Sequence, residues 1–197
     1  MVTGALQCIT LPDDVSFEQG SMHCVNPLTA IGLIDRAKQY KAQAVIQTAA
    51  ASQLGKMIIT LAREERIPLI NIVRREEQAQ TLKELGCEYV LNSSDADFLE
   101  KLAELAKKLR ATVCYEAIAG AFTGQLMSKM PSGSTCILYG ALSEQPVAEI
   151  EPLLLIGRNQ RLEGFMLPDW LAEKSLWQKL GVINKCTKMI ATKAFTS

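Results

Sequence analysis

Residues 44–75 read AVIQTAAASQLGKMIITLAREERIPLINIVRR, and their rhythm decides the fold. Ala44–Ala49 is short, apolar and ends in small residues, as a strand buried on both faces does. Leu54, Met57, Ile58, Leu61 and Ala62 then recur at helical spacing, with Gln53, Lys56 and Arg63 on the other side. Pro68–Val73 returns to strand character. A strand, a helix and a second strand in such close succession imply a parallel pair joined by a right-handed crossover.

The same alternation continues downstream. Arg75–Leu85 is predicted as a helix with Ala79, Leu82 and Leu85 on one face, closed by Gly86. Strands follow at Glu88–Leu91, Ala111–Ala117, Ser134–Tyr139 and Arg161–Met166, with helices at Asp95–Leu109 and Ala121–Met130 between them. Pro152–Ile156 is a short apolar segment, and Asp169 is expected to cap a last helix reaching about Ile190. Upstream, Met1–Gly20 holds two short β-like pieces, and Asn26 is expected to cap a helix that starts at Pro27. Six strands alternating with helices predict an α/β fold, a doubly wound six-stranded parallel sheet of Rossmann type. Residues 1–25 are read as an N-terminal extension and 26–197 as one dinucleotide-binding domain. A flavodoxin-like protein binding another phosphate ligand competes with this reading. A strand order of 3-2-1-4-5-6 separates the two.

Composition narrows the classes. Of the 197 residues, 48% are hydrophobic and 21% charged, which requires a packed core and argues against disorder. Lys plus Arg and Asp plus Glu are 21 each, so neither nucleic acid nor a polybasic membrane contact is expected. No apolar run approaches the roughly 20 residues that span a bilayer. The N-terminus lacks the pattern of a secretory signal, so a cytoplasmic chain is expected, with an organelle left open by any residues upstream of Met1. The six cysteines form no CxxC pair, so no metal site is expected and the thiols are read as reduced and unpaired.

The turn after the first strand reads TAAASQLGKM, residues 48–57. A helix N-terminus there presents free N–H groups and a positive dipole end to a pyrophosphate. The small side chains of Ala49, Ala50, Ala51 and Ser52 let phosphate approach the backbone, and Gly55 permits close helix packing. The GxGxxG pattern itself is not complete, and a compact βα turn without a ligand is the alternative. At the end of the second strand, where an acid would bind free ribose hydroxyls, stand Arg74 and Arg75. Guanidinium groups suit a 2′-phosphate, which favours NADP(H) over NAD(H). The alternative is that both arginines pair with Glu76 or Glu77.

LPDDVSFEQGSMHCVNPLTAIGLIDRAK (11–38), AVIQTAAASQLGKMIITLARE (44–64) and INIVRREEQAQTLKELGCEYVLNSS (70–94) resemble the medium-chain dehydrogenase/reductase superfamily. The likeness is greatest to its zinc-independent quinone oxidoreductase and enoyl-thioester reductase branch. It implies that Ala49 to Gly55, including Gln53 and Leu54, hold the pyrophosphate and that Arg74 and Arg75 hold the 2′-phosphate. Asn92 and Ser93 would lie near the adenosine, and Ala117 to Gly120, including Ile118, beside the ribose. Tyr139, Gly140, Ala141, Phe165, Met166 and Leu167 would border the nicotinamide, which Asn26 and Thr29 would face. A homodimer through the sixth strand is also implied. Complete enzymes of the branch carry a GroES-like barrel, for which residues 1–10 are too few. The resemblance therefore implies the cofactor half of an NADPH-dependent oxidoreductase, with a non-catalytic nucleotide-binding or dimerisation module as the alternative.

No catalytic residue is assigned. His23 stands beside Cys24 without a third partner and is read as a loop residue. Glu116, a carboxylate in an apolar strand, is read as a satisfied buried group ahead of an acid or base. Tyr115 is expected to pack beneath the sheet, and Tyr139 to lie near the cofactor as a possible proton donor. Leu126, Met127 and Met130 are core residues by their spacing, and Trp170 and Trp177 are read as one apolar face of the last helix.

Overall fold

The computed structural model describes residues 13, 15–21 and 24–191. Cys8, His23 and the closing TKAFTS lie outside them. After α1 (Phe17–Ser21) and α2 (Val25–Gln39), strand and helix alternate as β1 (Ala44–Gln47), α3 (Gln53–Glu64), β2 (Leu69–Val73) and α4 (Glu76–Glu84). There follow β3 (Tyr89–Asn92), α5 (Phe98–Leu109), β4 (Ala111–Glu116), α6 (Ala121–Lys129) and β5 (Thr135–Leu138). The chain continues through α7 (Pro152–Gly157), β6 (Arg161–Gly164), α8 (Leu167–Ala172) and α9 (Leu176–Ala191).

The six strands form one sheet in the order β3-β2-β1-β4-β5-β6, every pair parallel. That order bears out the Rossmann expectation and removes the flavodoxin-like one. The chain reverses its direction of winding between β1 and β4, so a crevice opens there at the carboxyl ends of the strands. Successive strand side chains serve opposite faces. Val45, Val113 and Tyr115 join one core with Leu33 and Leu61, whereas Ile46 and Cys114 join a second core with Leu102 and Leu126.

Several boundaries differ from the sequence reading. Helix α2 starts at Val25 with Cys24 at the cap position, so Asn26 is an exposed first-turn residue and not the cap. Pro152–Ile156 is helical, and Pro152 at its start has no N–H to leave unpaired. The predicted last helix is two helices. Asp169 lies within the first turn of α8 and not at its cap. The chain breaks near Ser175, whose N–H donates to Gln178 Oε1 (2.9 Å) while Gln178 N–H donates back to Ser175 Oγ (3.4 Å). That reciprocal pair starts α9 afresh. Trp170 and Trp177 consequently share no face, being 1% and 81% exposed.

Trp170 anchors the C-terminal helices to α2. Its ring packs on Phe165, with centroids 6.3 Å apart, and Lys174 Nζ lies 4.5 Å from the ring centroid. Both Trp170 Nε1 (2.9 Å) and Lys174 Nζ (2.8 Å) donate to Asp35 Oδ2. A Cβ on Gly32 would come within 2.5 Å of the Phe165 ring, so α2 needs glycine at this crossing. Burial pushes the Asp35 carboxyl up, but the bonds from Lys174 and Trp170 and the Lys174 and Arg36 charges outweigh it and hold it below its ordinary 3.8. A carboxyl lowered on folding stabilises above its unfolded value and loses that contribution as pH falls through the folded one. Asp35→Asn is therefore expected to lower the melting temperature at about pH 6 and to approach the wild type at about pH 2. An equal gap at both pH values would contradict this.

The cysteines among the described residues form no disulfide, and Cys114, Cys136 and Cys186 are buried. Leu126, Met127 and Met130 are core, as expected. Among the described residues no helix is long and apolar enough to cross a membrane.

Candidate functional site

The turn between β1 and α3 is shaped by its backbone. Ala49 takes a left-handed conformation at φ +49°. Ala50 N–H donates to Ile72 O (3.1 Å) and Ser52 N–H to Ala49 O (2.9 Å). Ser52 Oγ accepts from Gly55 N–H at 3.0 Å and caps α3. The amides of Ala51, Gln53 and Leu54 have no hydrogen-bond acceptor among the described residues. A Cβ on Gly55 would collide with the Ala50 carbonyl and lie 2.8 Å from Ala49 O. Glycine is required because the helix rides directly on its own preceding turn.

A cleft of about 620 Å³ opens beside this turn. Of the expected residues, Ala49, Ala51, Ser52, Arg74, Ser93 and Ile118 line it. Gln78, Phe122, Leu142 and Ser143 also line it, residues for which the sequence alone predicts no role in the site. Arg74 is pinned by its main chain: its N–H donates to Gln78 Oε1 (3.2 Å), and its carbonyl accepts from Ser94 Oγ (2.8 Å). Among the described residues neither the Arg74 nor the Arg75 guanidinium is ion-paired, and Glu76 instead pairs with Lys83 at 3.6 Å. Arg75 is exposed and occupies the cap position of α4 without lining the cleft. Ala50 is buried under Gly55, and Gln53, the first residue of α3, is exposed. Asn92 Oδ1 accepts from Ser94 N–H (3.1 Å), shaping the turn after β3.

A second cleft of about 530 Å³ lies at the ends of β5 and β6. Tyr139, Gly140, Phe165 and Met166 line it, with Arg36 and Glu173 ion-paired at 2.9 Å on its rim. Ala141, Leu167, Asn26 and Thr29 line neither cleft. Burial, with Cys114 and Glu116 nearby, pushes the Tyr139 hydroxyl well above its ordinary range, so it stays protonated. Tyr115 packs on α2 and donates to Leu33 O at 2.6 Å.

Between the clefts lies Glu116, wholly buried. Its Oε1 accepts from Thr48 Oγ1 (3.0 Å) and Ile118 N–H (2.7 Å), and its Oε2 from Ala119 N–H and Thr123 Oγ1 (both 2.7 Å). Four donors on two oxygens leave no lone pair aimed at a reactant, as the satisfied-group reading expects. The loop after β5 is laid along the same turn through its main chain. Tyr139 N–H donates to Glu116 O (2.9 Å), Leu142 N–H to Ala117 O (2.9 Å), Ser143 N–H to Ile118 O (2.8 Å) and Ala148 N–H to Gly120 O (3.1 Å). Among the described residues, no three His, Cys, Asp or Glu side chains come together as metal ligands.

Residues 53–181 match the family model described as zinc-binding dehydrogenase. The chain is 29% identical over 197 residues to the mitochondrial enoyl-[acyl-carrier-protein] reductase of Dictyostelium discoideum, covering 96% of this chain and 55% of that one. The human protein of the same name is 27% identical, covering 85% and 46%. Among solved structures, a putative NADPH:quinone reductase from Mesorhizobium loti superposes with a TM-score of 0.88 at 36% identity, covering 96% of this chain and 55% of that one. An enoyl thioester reductase from Candida tropicalis superposes at 0.76 with 23% identity, over 93% and 52%, and supports the fold alone. The chain spans about half the length of the relatives it matches.

Proposed function

We propose a function from one premise: the chain belongs to the zinc-binding dehydrogenase family. It is the NADP(H)-binding half of a hydride-transferring oxidoreductase of quinone-reductase or enoyl-thioester-reductase type. One observation carries this reading. Ala51, with its unpaired amide, and Arg74, whose guanidinium has no ion-pair partner among the described residues, line one cleft, and the unpaired amides of Gln53 and Leu54 open α3 next to it, a seat for a diphosphate and a 2′-phosphate together. Names of relatives support it: one structure is called an NADPH:quinone reductase, and the curated relatives are enoyl reductases.

Ala51 and the start of α3 would hold the diphosphate, Arg74 and Ser93 the adenosine end, and Ile118, Phe122 and Leu142 the apolar wall against it. Tyr139, Gly140, Phe165 and Met166 would border the nicotinamide. The bound dinucleotide supplies the hydride, and this half supplies binding and orientation. Substrate groups then come from the rest of a longer protein. A dimer through the open edge of β6 is part of the proposal, supported by exposed Leu162 on that edge and exposed Leu153 and Ile156 on α7. The mitochondrial names of the curated relatives support an organelle over the cytoplasm.

Fluorescence titration of the chain with NADPH and NADH tests the reading. Saturable binding with clear preference for NADPH is expected. Equal weak responses would overturn it, and turnover of quinones or enoyl thioesters by this chain alone would overturn the division of labour.

A further inference from the structure

The geometry points to Glu116 as a positioning residue for the dinucleotide, acting through Thr48 and the turn between β4 and α6. This role rests on the NADP(H) reading above. Glu116 touches neither cleft, yet it joins the segments that shape both.

Each of its carboxylate oxygens takes one main-chain N–H and one threonine hydroxyl. A hydroxyl can rotate to accept, but a main-chain N–H cannot. An amide in place of the carboxylate would therefore set its NH2 group against Ile118 N–H or Ala119 N–H, whichever way it turned. Thr48 is tied into the same group. Its hydroxyl accepts from Ala117 N–H at 2.9 Å and gives its proton to Glu116 Oε1 at 3.0 Å, the nearer of two acceptors, with Tyr115 O at 3.5 Å. A continuous run of hydrogen bonds thus leads from the residue preceding the phosphate turn, through one buried carboxylate, to the neighbouring βα turn.

That second turn needs an outside restraint. Ala119 and Gly120 are successive residues at φ +66° and +67°, and the first has a Cβ that disfavours this conformation. The bond from Ala119 N–H to Glu116 supplies the restraint. The carbonyls of Ala117 and Ile118 then hold Leu142 and Ser143 of the loop after β5. Loss of the carboxylate would release the diphosphate turn on one side and this loop on the other. Arg74 and Ser93 would stay in place, because Ser94 and Gln78 fix the end of β2 independently.

The test compares NADPH with adenosine 2′-monophosphate, a fragment that keeps the 2′-phosphate and has no part of the diphosphate, on the 197-residue chain. Glu116→Gln and Thr48→Val are expected to weaken NADPH about tenfold or more and adenosine 2′-monophosphate by less than about threefold. Thr48→Ser, which keeps the hydroxyl, is expected to bind NADPH as the wild type does. Circular dichroism reports whether each variant folds. If Glu116→Gln does not, the Thr48→Val and Thr48→Ser pair decides. Unchanged NADPH binding in the folded variants, or equal loss of both ligands, overturns the positioning role. If the wild type binds neither ligand, the NADP(H) reading falls and this role falls with it.

Discussion

Arg74→Ala is expected to weaken NADPH binding by about 10- to 100-fold and to leave NADH binding unchanged within about threefold. The magnitude is that of losing charge-assisted hydrogen bonds to a dianion, each worth about 1.5–3 kcal/mol. The selectivity follows from chemistry: NADH has no 2′-phosphate, so its affinity has nothing to lose. Main-chain fixation of Arg74 by Gln78 and Ser94 means that truncating the side chain need not disturb the strand end. Arg75→Ala is the internal control. Arg75 does not line the cleft, so its removal is expected to change NADPH affinity by less than about threefold. Paired titrations with both nucleotides check this. Equal losses for NADPH and NADH would detach Arg74 from the phosphate, and a larger effect at Arg75 would reverse the assignment.

Trp170→Ala is expected to destabilise the fold by about 3–5 kcal/mol, the range for removing a large aromatic side chain from a core. Trp170 is 1% exposed and joins α8 to α2 through Phe165, Gly32 and Asp35. Its loss would open a cavity beside Phe165, remove one hydrogen bond from Asp35 and leave Lys174 without its aromatic partner. Urea unfolding followed by circular dichroism measures the loss. Fluorescence supplies a second readout, since the remaining Trp177 is exposed and should emit as a solvated indole. A change below about 1 kcal/mol would mean that the C-terminal helices contribute little to the cooperative unit.

The strand order was legible because these strands are apolar on both faces, so their alternation with amphipathic helices leaves few topologies. The phosphate turn was legible from its small residues and its position after the first strand. Helix ends were read less well where side-chain capping was absent or overlooked. Cys24 makes no capping hydrogen bond, so nothing in the sequence marked Val25 as the start of α2. Ser175 and Gln178, by contrast, form a recognisable capping pair, and Pro152 is a familiar first helical residue. Both signals were present and outweighed by the apolar pattern around them. Leu142 and Ser143 in the first cleft were not legible, because a loop reaches its place through main-chain bonds that no side-chain pattern encodes. Nor could the partners of Glu116 be foreseen, since Thr48 is brought to it only by the pairing of β1 with β4.

The loop from Tyr139 to Ala148 keeps its path through amide groups that nearly every residue type possesses. Most of its amino acids are consequently free to diverge while its trace persists, with proline barred from the donating positions and Gly140 kept by the Ala117 carbonyl that a Cβ there would meet at 3.0 Å. Descendants of such a domain can therefore revise the lining of an inherited crevice by drift, one surface substitution at a time, without having to reinvent the scaffold.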